Sequence, residues 1–162
     1  MRRVLILLTV AASLPPFIRA QTADREALYY ADAYADHYGV PRALVHAIVS
    51  QESAWNPLAV SSAGAEGLGQ LMPGTAARYG VGRPFAKSPN LSGCVRYLRD
   101  LLLQFHGDMR LAVAGYYAGE NRIAHRGLAY SNPDVVAYVD QVRHRYQREL
   151  DRLAATERTR SR

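Results

Sequence analysis

Apolar residues along this chain recur at intervals of three and four far more often than they alternate, and that spacing predicts helices. In TADREALYYADAYADHYG, residues 22–39, Thr22 is placed to cap a helix whose inner positions are Leu28, Ala31, Ala35 and Tyr38, with Gly39 as its stop. VPRALVHAIVSQES follows, where Pro41 suits a first helical turn and Leu44, Val45, Ile48 and Val49 form a core stripe. From Trp55 to Gly74 the periodicity fails and Gly, Ser and Pro accumulate, which predicts a loop with a short helical turn near Gly67 to Leu71. Pro73 then opens the short helix PGTAARYG. Asn90 is placed to cap a long helix with the stripe Leu91, Val95, Leu98, Leu102 and Phe105, stopped by Gly107. Asp108 can cap MRLAVAGYYA, and a turn at Gly119 leads to a short helix near Arg122. NPDVVAYVDQVRHRYQREL closes the domain with Val136, Val139, Val142, Tyr146 and Leu150 inward. No run alternates as a strand should, so the expected class is mainly α.

The 162 residues suffice for one compact helical domain and are too few for two of ordinary size. Residues 1–20 read as a secretory signal: Arg2 and Arg3 precede the apolar run Val4 to Ala12, two prolines break it, and small Ala20 offers a cleavage point. An uncleaved anchor is the competing reading, and the shortness of the apolar run argues against it. The expected organisation is therefore a signal peptide over 1–20, a folded domain over 21–150, and a basic, flexible tail over 151–162. Charge fits this division. The formal charge is +6, of which three arginines in residues 1–20 supply +3 and seven arginines against three acids from Arg143 to Arg162 supply +4, leaving −1 for the body. The high pI belongs to the two ends, so the chain lacks the clustered basic face expected of a nucleic-acid-binding protein. Cys94 is the single cysteine, so no internal disulfide is expected. Its place beside Val95 in an apolar pattern marks it as a buried packing residue. The five histidines show no ligand-like spacing, and no metal is expected.

Glu52 is the residue with the most chemistry to offer. It lies four residues after Ile48 and eight after Leu44, so on a helix it continues the apolar stripe. A carboxyl held there beside Trp55 would lose water, and lost water raises its pKa toward the range a general acid needs. The same position at a helix end also allows the side chain to point into solvent.

The row ESAWNPLAVSSAGAEGLGQLMPGTA resembles the signature of the soluble lytic transglycosylases, a family with a goose-type lysozyme-like domain. Glu52-Ser53, Trp55, Asn56-Pro57, Ala59 and Ser61, Gly64-Ala65, Gly67-Leu68, Gln70 to Pro73 and Thr75-Ala76 match it in order. Downstream, Tyr116 and Ala118-Gly119 resemble the family's third motif, and Tyr138-Val139 its last. The likeness spans roughly Leu28 to Tyr146. Departures are Gly69 where Met is common, Gly115 for Ala, Tyr117 for Asn, Glu120-Asn121 for Pro-Gly, and Val135-Val136 for an acidic-Thr pair.

This resemblance implies a small lysozyme-like helical domain with a catalytic cleft. It implies cleavage of the β-1,4 bond between N-acetylmuramic acid and N-acetylglucosamine, with a 1,6-anhydromuramyl end as product. Glu52 would be both acid and base, and no cofactor would be required. Ser61 and Gln70 would bond the sugar's N-acetyl or ring substituents, Met72 would line the floor, and Tyr116 and Tyr138 would place hydroxyls near the reacting sugar or Glu52. Tyr117 would reshape the sugar cleft, and Ser53 would either touch substrate or stabilise the fold around Glu52. Glu66, the only nearby second carboxyl, occupies a variable position of GAEG and reads as a solvated loop acid. Alternative readings are a hydrolytic lysozyme or chitinase, and a glycan-binding assembly factor that does not cut. The expected partner is the peptidoglycan strand, met by a monomer exported to a Gram-negative periplasm. Family analogy adds secretion, conjugation or pilus machinery.

Overall fold

A helix buried on every side organises the chain. In the computed structural model, which describes residues 16–127 and 132–160, seven helices are found among those residues. They are α1 Pro16–Tyr38, α2 Arg42–Ser53, α3 Pro73–Arg78, α4 Lys87–Gln104, α5 Met109–Ala118, α6 Glu120–Arg126 and α7 Pro133–Arg160. In α2 the seven consecutive residues Ala43 to Val49 are all buried, so the expected stripe widens to a full turn in every direction. Such a helix needs neighbours all round. α1 and α7 pack on α2, while α4 lies against α1 and α5, and α5 against α6 and α7. The expected mainly α class is what is observed, and no helix among the described residues is long and apolar enough to cross a membrane.

The one charged-capable side chain inside this centre is His46. Its Nε2 lies 2.7 Å from Asp32 of α1, its Nδ1 is 3.4 Å from Glu149 of α7, and Trp55 meets the ring edge-on at 5.4 Å. Arg152 donates to Glu149 at 2.7 Å and closes the group. A polar link of this kind ties three helices together without leaving a buried group unpaired.

Several boundaries differ from the sequence expectation. α1 starts at Pro16, not after Thr22, because proline's fixed φ suits a first helical turn and no further breaker follows until Gly39. Ala20 therefore lies within a helix, while residues 1–15, most of the expected signal, fall outside the described residues. The turn near Gly67 to Leu71 is not helical. Gln70 N–H donates to Gly67 at 3.1 Å, closing a tight turn between two short antiparallel bridges, Val60 with Glu66 and Glu66 with Leu71. Asn90 does not cap α4, which begins three residues earlier at Lys87. In α7 the inward residues are Val135, Tyr138 and Val142, with Val139 and Tyr146 partly covered, whereas Val136 and Leu150 face solvent. At 100° per residue, turning Tyr138 inward puts Val136 about 160° and Leu150 about 120° away. Residues 151–160, expected as a flexible tail, continue α7 through Arg160. That stretch contains no glycine or proline, and its leucine, alanines and arginines favour helix.

Asn90, fully buried, holds the 54–72 loop to the helical body. Its Oδ1 accepts from Gly69 N–H at 2.7 Å, and its Nδ2 donates to the carbonyls of Pro84 at 2.7 Å and Glu66 at 3.1 Å. Gly67 makes this approach possible: at φ +75°, a Cβ there would sit 2.2 Å from the Pro84 carbonyl and 2.4 Å from Asn90 Nδ2. Replacing Asn90 by alanine takes the partner from Gly69 N–H and from the Pro84 carbonyl, while the Glu66 carbonyl keeps Leu71 N–H, and is expected to cost about 2 kcal/mol. Urea denaturation should show a lower midpoint at an unchanged slope.

Candidate active site

α2 ends abruptly at Glu52-Ser53. Ala54 and Trp55 follow with φ of +49° and +65°, a left-handed pair that reverses the chain and folds the indole back onto His46. Side chains with a Cβ adopt that conformation at a cost, and a run of two is kept only where surrounding contacts hold it. Ser53 Oγ turns back to donate to the Val49 carbonyl at 3.2 Å, and Asn56 Oδ1 accepts from Leu58 N–H at 3.0 Å. Ser53 thus finishes the helix.

Glu52 is half-buried, and Tyr138, reaching across from α7, donates its hydroxyl to Glu52 Oε1. Loss of water pushes the carboxyl up from its ordinary 4.5 to about 7, and the Tyr138 hydrogen bond opposes that rise without cancelling it. Of the two outcomes the sequence left open, the desolvated one is observed. Burial also raises the Tyr138 hydroxyl well above its ordinary value, so it remains a donor at neutral pH. A group poised near 7 can give a proton and take it back within one cycle.

The loop beyond Glu52 is built from its own hydrogen bonds. Ser61 Oγ accepts from Ala65 N–H at 3.0 Å, while Ser61 N–H donates to the Ala65 carbonyl at 3.0 Å. Gln70, at φ +46°, uses its side-chain nitrogen on the carbonyls of Ala59 and Gly67, both at 3.0 Å. Its Oε1 takes no such bond among the described residues. Gly69 is fixed at both ends: Asn90 receives its N–H, and the buried Tyr116 hydroxyl donates to its carbonyl at 2.7 Å. Tyr116 also contacts Cys94 Sγ at 3.2 Å. Cys94 is wholly buried and its thiol is pushed up to about 12, which makes it the packing residue expected and no nucleophile.

Gln70, Met72, Tyr116, Tyr117, Gly119 and Glu120 share one pocket of about 270 Å³. Met72, 45 % exposed, opens α3 at its rim. Tyr117 covers Tyr138, ring on ring, with centroids 4.5 Å apart and planes 23° from parallel. The structure therefore gathers Gln70, Met72, Tyr116 and Tyr117 around one pocket and joins Glu52 to it through Tyr138, which lies under Tyr117. Ser61 enters it only as a residue that shapes the loop. Glu66 points elsewhere, lining a separate depression with Pro73, Ala76, Val81 and Pro84.

Asn90, Cys94, Tyr97 and Glu120 are parts of the site that no motif announced. Glu120 accepts from Arg78 at 2.5 Å and from Tyr97 at 3.0 Å. Two departures from the family signature gain a steric reason. A Cβ on residue 69 would meet Cys94 Cβ at 2.7 Å, and one on residue 115 would meet Leu101 and Phe105 at 3.0 Å.

Residues 29–134 match the family model described as the Transglycosylase SLT domain. Over 149 residues the chain is 30% identical to the soluble lytic murein transglycosylase of Salmonella typhimurium, covering 83% of this chain and 23% of that protein. It is 37% identical over 90 residues to the Transglycosylase of Enterobacteria phage PRD1, covering 56% and 34%. Among solved structures, an inactive mutant of the lytic transglycosylase Slt from Pseudomonas aeruginosa aligns with a TM-score of 0.69 at 26% identity, over 81% of this chain and 24% of that one. The soluble lytic transglycosylase of Escherichia coli gives 0.66 at 27%, over 74% and 23%. The chain thus spans less than a quarter of the length of the Salmonella relative.

The raised carboxyl has a stability consequence. A proton bound more tightly in the folded state stabilises fully below pH 4.5, and that contribution is lost as pH rises through about 7. The loss amounts to roughly 3 kcal/mol above pH 8. Glu52→Gln, neutral at every pH and still able to accept from Tyr138, should match the native protein's unfolding free energy at pH 4 and exceed it at pH 8.

Proposed function

This chain belongs to the Transglycosylase SLT domain family, and from that membership we propose that it is a peptidoglycan lytic transglycosylase working with a single carboxyl, Glu52. The observation that carries this reading is the half-buried Glu52, raised to about 7 and held by Tyr138, whose ring lies under the pocket-lining Tyr117.

In the proposed reaction, the Glu52 proton passes to the glycosidic oxygen between N-acetylmuramic acid and N-acetylglucosamine as the bond to the anomeric carbon breaks. The substrate's own N-acetyl group steadies the positive charge developing there. The C6 hydroxyl oxygen of the same muramyl residue then bonds to the anomeric carbon, and its proton returns to Glu52. The carboxyl ends as it began, and a 1,6-anhydro ring replaces the bond that was cut. No water is consumed. An attacking group tethered to the substrate has a high effective concentration, so the step needs no second carboxylate. The orientation of Glu66 toward a different depression supports this assignment over the paired-acid arrangement common among glycosidases.

Other residues take supporting parts in this proposal. Tyr138 holds Glu52 and its proton in place. Gln70, its nitrogen committed to the loop, offers Oε1 as an acceptor for an N–H of the sugar's N-acetyl group. Met72 supplies apolar floor, Tyr116 locks Gly69, and Ser61 keeps the loop in shape. Residues 1–20 are proposed as an export signal that delivers the domain to the cell wall.

Purified protein incubated with peptidoglycan should release muropeptides one water lighter than their hydrolysed counterparts, measured by mass spectrometry. Glu52→Gln should lower release at least about a hundredfold. Fragments with hydrated ends only would establish hydrolysis instead. Equal release by both proteins would remove Glu52 from its role, and binding without release by either would favour a glycan-holding module.

A further inference from the structure

We propose that Tyr117 is a positioning residue for this reaction: stacked on Tyr138, it fixes that hydroxyl on Glu52 and keeps water from their hydrogen bond, while its open side forms an aromatic platform for the sugar in the adjoining pocket. The inference rests on the reaction proposed above and adds a part for the residue that departs furthest from the family signature.

Exposure first separates the two rings. Tyr138 is 6 % exposed and Tyr117 is 50 % exposed, so in a stack with centroids 4.5 Å apart Tyr117 is the cover and Tyr138 the covered ring. A polar amide at residue 117 would leave that face of Tyr138 open to the cleft. The division of labour follows from α5. Tyr116 and Tyr117 are neighbours and so point about 100° apart: one turns inward to Gly69 and Cys94, the other outward over α7. Tyr117 also lines the pocket with Gln70, Met72 and Gly119, so a sugar there would lie against the ring that covers Tyr138. Flat aromatic surface beside an acceptor such as Gln70 Oε1 suits a pyranose, which presents C–H groups on its faces and polar groups at its edge.

Solvent is the natural lever on this carboxyl. The titratable groups that face Glu52 are Tyr138 from α7, Tyr116 from α5 and Cys94 from α4, and burial raises all three, so each is neutral at physiological pH. With no charged neighbour among them, the proton on Glu52 is retained mainly by exclusion of water. Whatever lets water reach the Tyr138 hydroxyl should therefore weaken that retention.

The test compares Tyr117→Asn and Tyr117→Phe in two readouts. In the free protein, the Glu52 carboxyl is titrated by carbon NMR. In turnover, the rate against pH is followed on peptidoglycan, where the limb that falls as pH rises reports the same proton. Tyr117→Asn should move both to lower pH by about one unit, a tenfold loss of proton affinity, and should lower kcat as well as raise KM. Tyr117→Phe should keep both where the native protein has them. If Tyr117→Asn raises KM alone and leaves the titration in place, the ring is a sugar contact only and the positioning role is overturned. A shift of equal size in Tyr117→Phe would assign the effect to the hydroxyl and overturn the stack as its cause. A protein that shows the NMR shift but releases no anhydro product would refute the proposed reaction and leave the covering role standing.

Discussion

Withdrawal of water from one carboxyl is the constraint on which the architecture around the cleft depends. A helix buried throughout its length, as α2 is from Ala43 to Val49, can carry a functional acid only at its end, where the core gives way to a cleft. Glu52 occupies that end. The helix side denies it solvent, and the tyrosines of α5 and α7 cover it from the other side. The left-handed Ala54 and Trp55 complete the arrangement by taking the chain away at once, so that no further turn of helix fills the cleft. Their conformational cost is offset by contacts such as that of Trp55 with His46.

The loop that forms the opposite wall sinks Leu68 and Leu71 into the core and leaves Leu58 and Val60 largely exposed. It is held as well by polar side chains that reach in from helices. Asn90 of α4 and Tyr116 of α5 take the two backbone groups of Gly69, while Gln70 binds the loop to itself. Each tie reaches a backbone atom, so apart from Ser61 and Gln70, whose own side chains make such ties, the loop's shape depends most on the glycines at its closest approaches. Gly69 with Cys94 and Tyr116, and Glu120 with Arg78 and Tyr97, behave as matched sets in which one member makes sense only beside the others.

Local pattern and motif order made the helices and Glu52 legible in the chain, because both are matters of short-range spacing. What escaped was long-range. Tyr138 stands 86 residues from Glu52, and only the family resemblance, not spacing, suggested its hydroxyl there; periodicity cannot say which of two adjacent valines, Val135 or Val136, shares its inward face. Asn90 has the composition of a helix cap, and only the fold brings Gly69 and Glu66 within its reach. The start of α1 was misplaced because Thr22 looks like a cap whether or not the helix has already begun. The variable position of Glu66 suggested a loop acid and no direction, and the pairing of Tyr117 with Tyr138 was out of reach, since each ring belongs to a different helix.

α7 joins the end of the domain that holds Glu52 to a strongly cationic one. Its 28 residues amount to about 42 Å of helix, with Tyr138 near the start and Arg158 about 30 Å farther along. Counter-ions in physiological saline extinguish a charge's influence over roughly 8 Å. The arginines beyond Leu150 are therefore too far along the helix to act electrically on Glu52. The charge of that end and the acidity of Glu52 are consequently set apart, one felt according to ionic strength and the other according to local packing. Beyond Arg152, which Glu149 and His46 hold, the outer turns of α7 can change their charge without retuning the carboxyl.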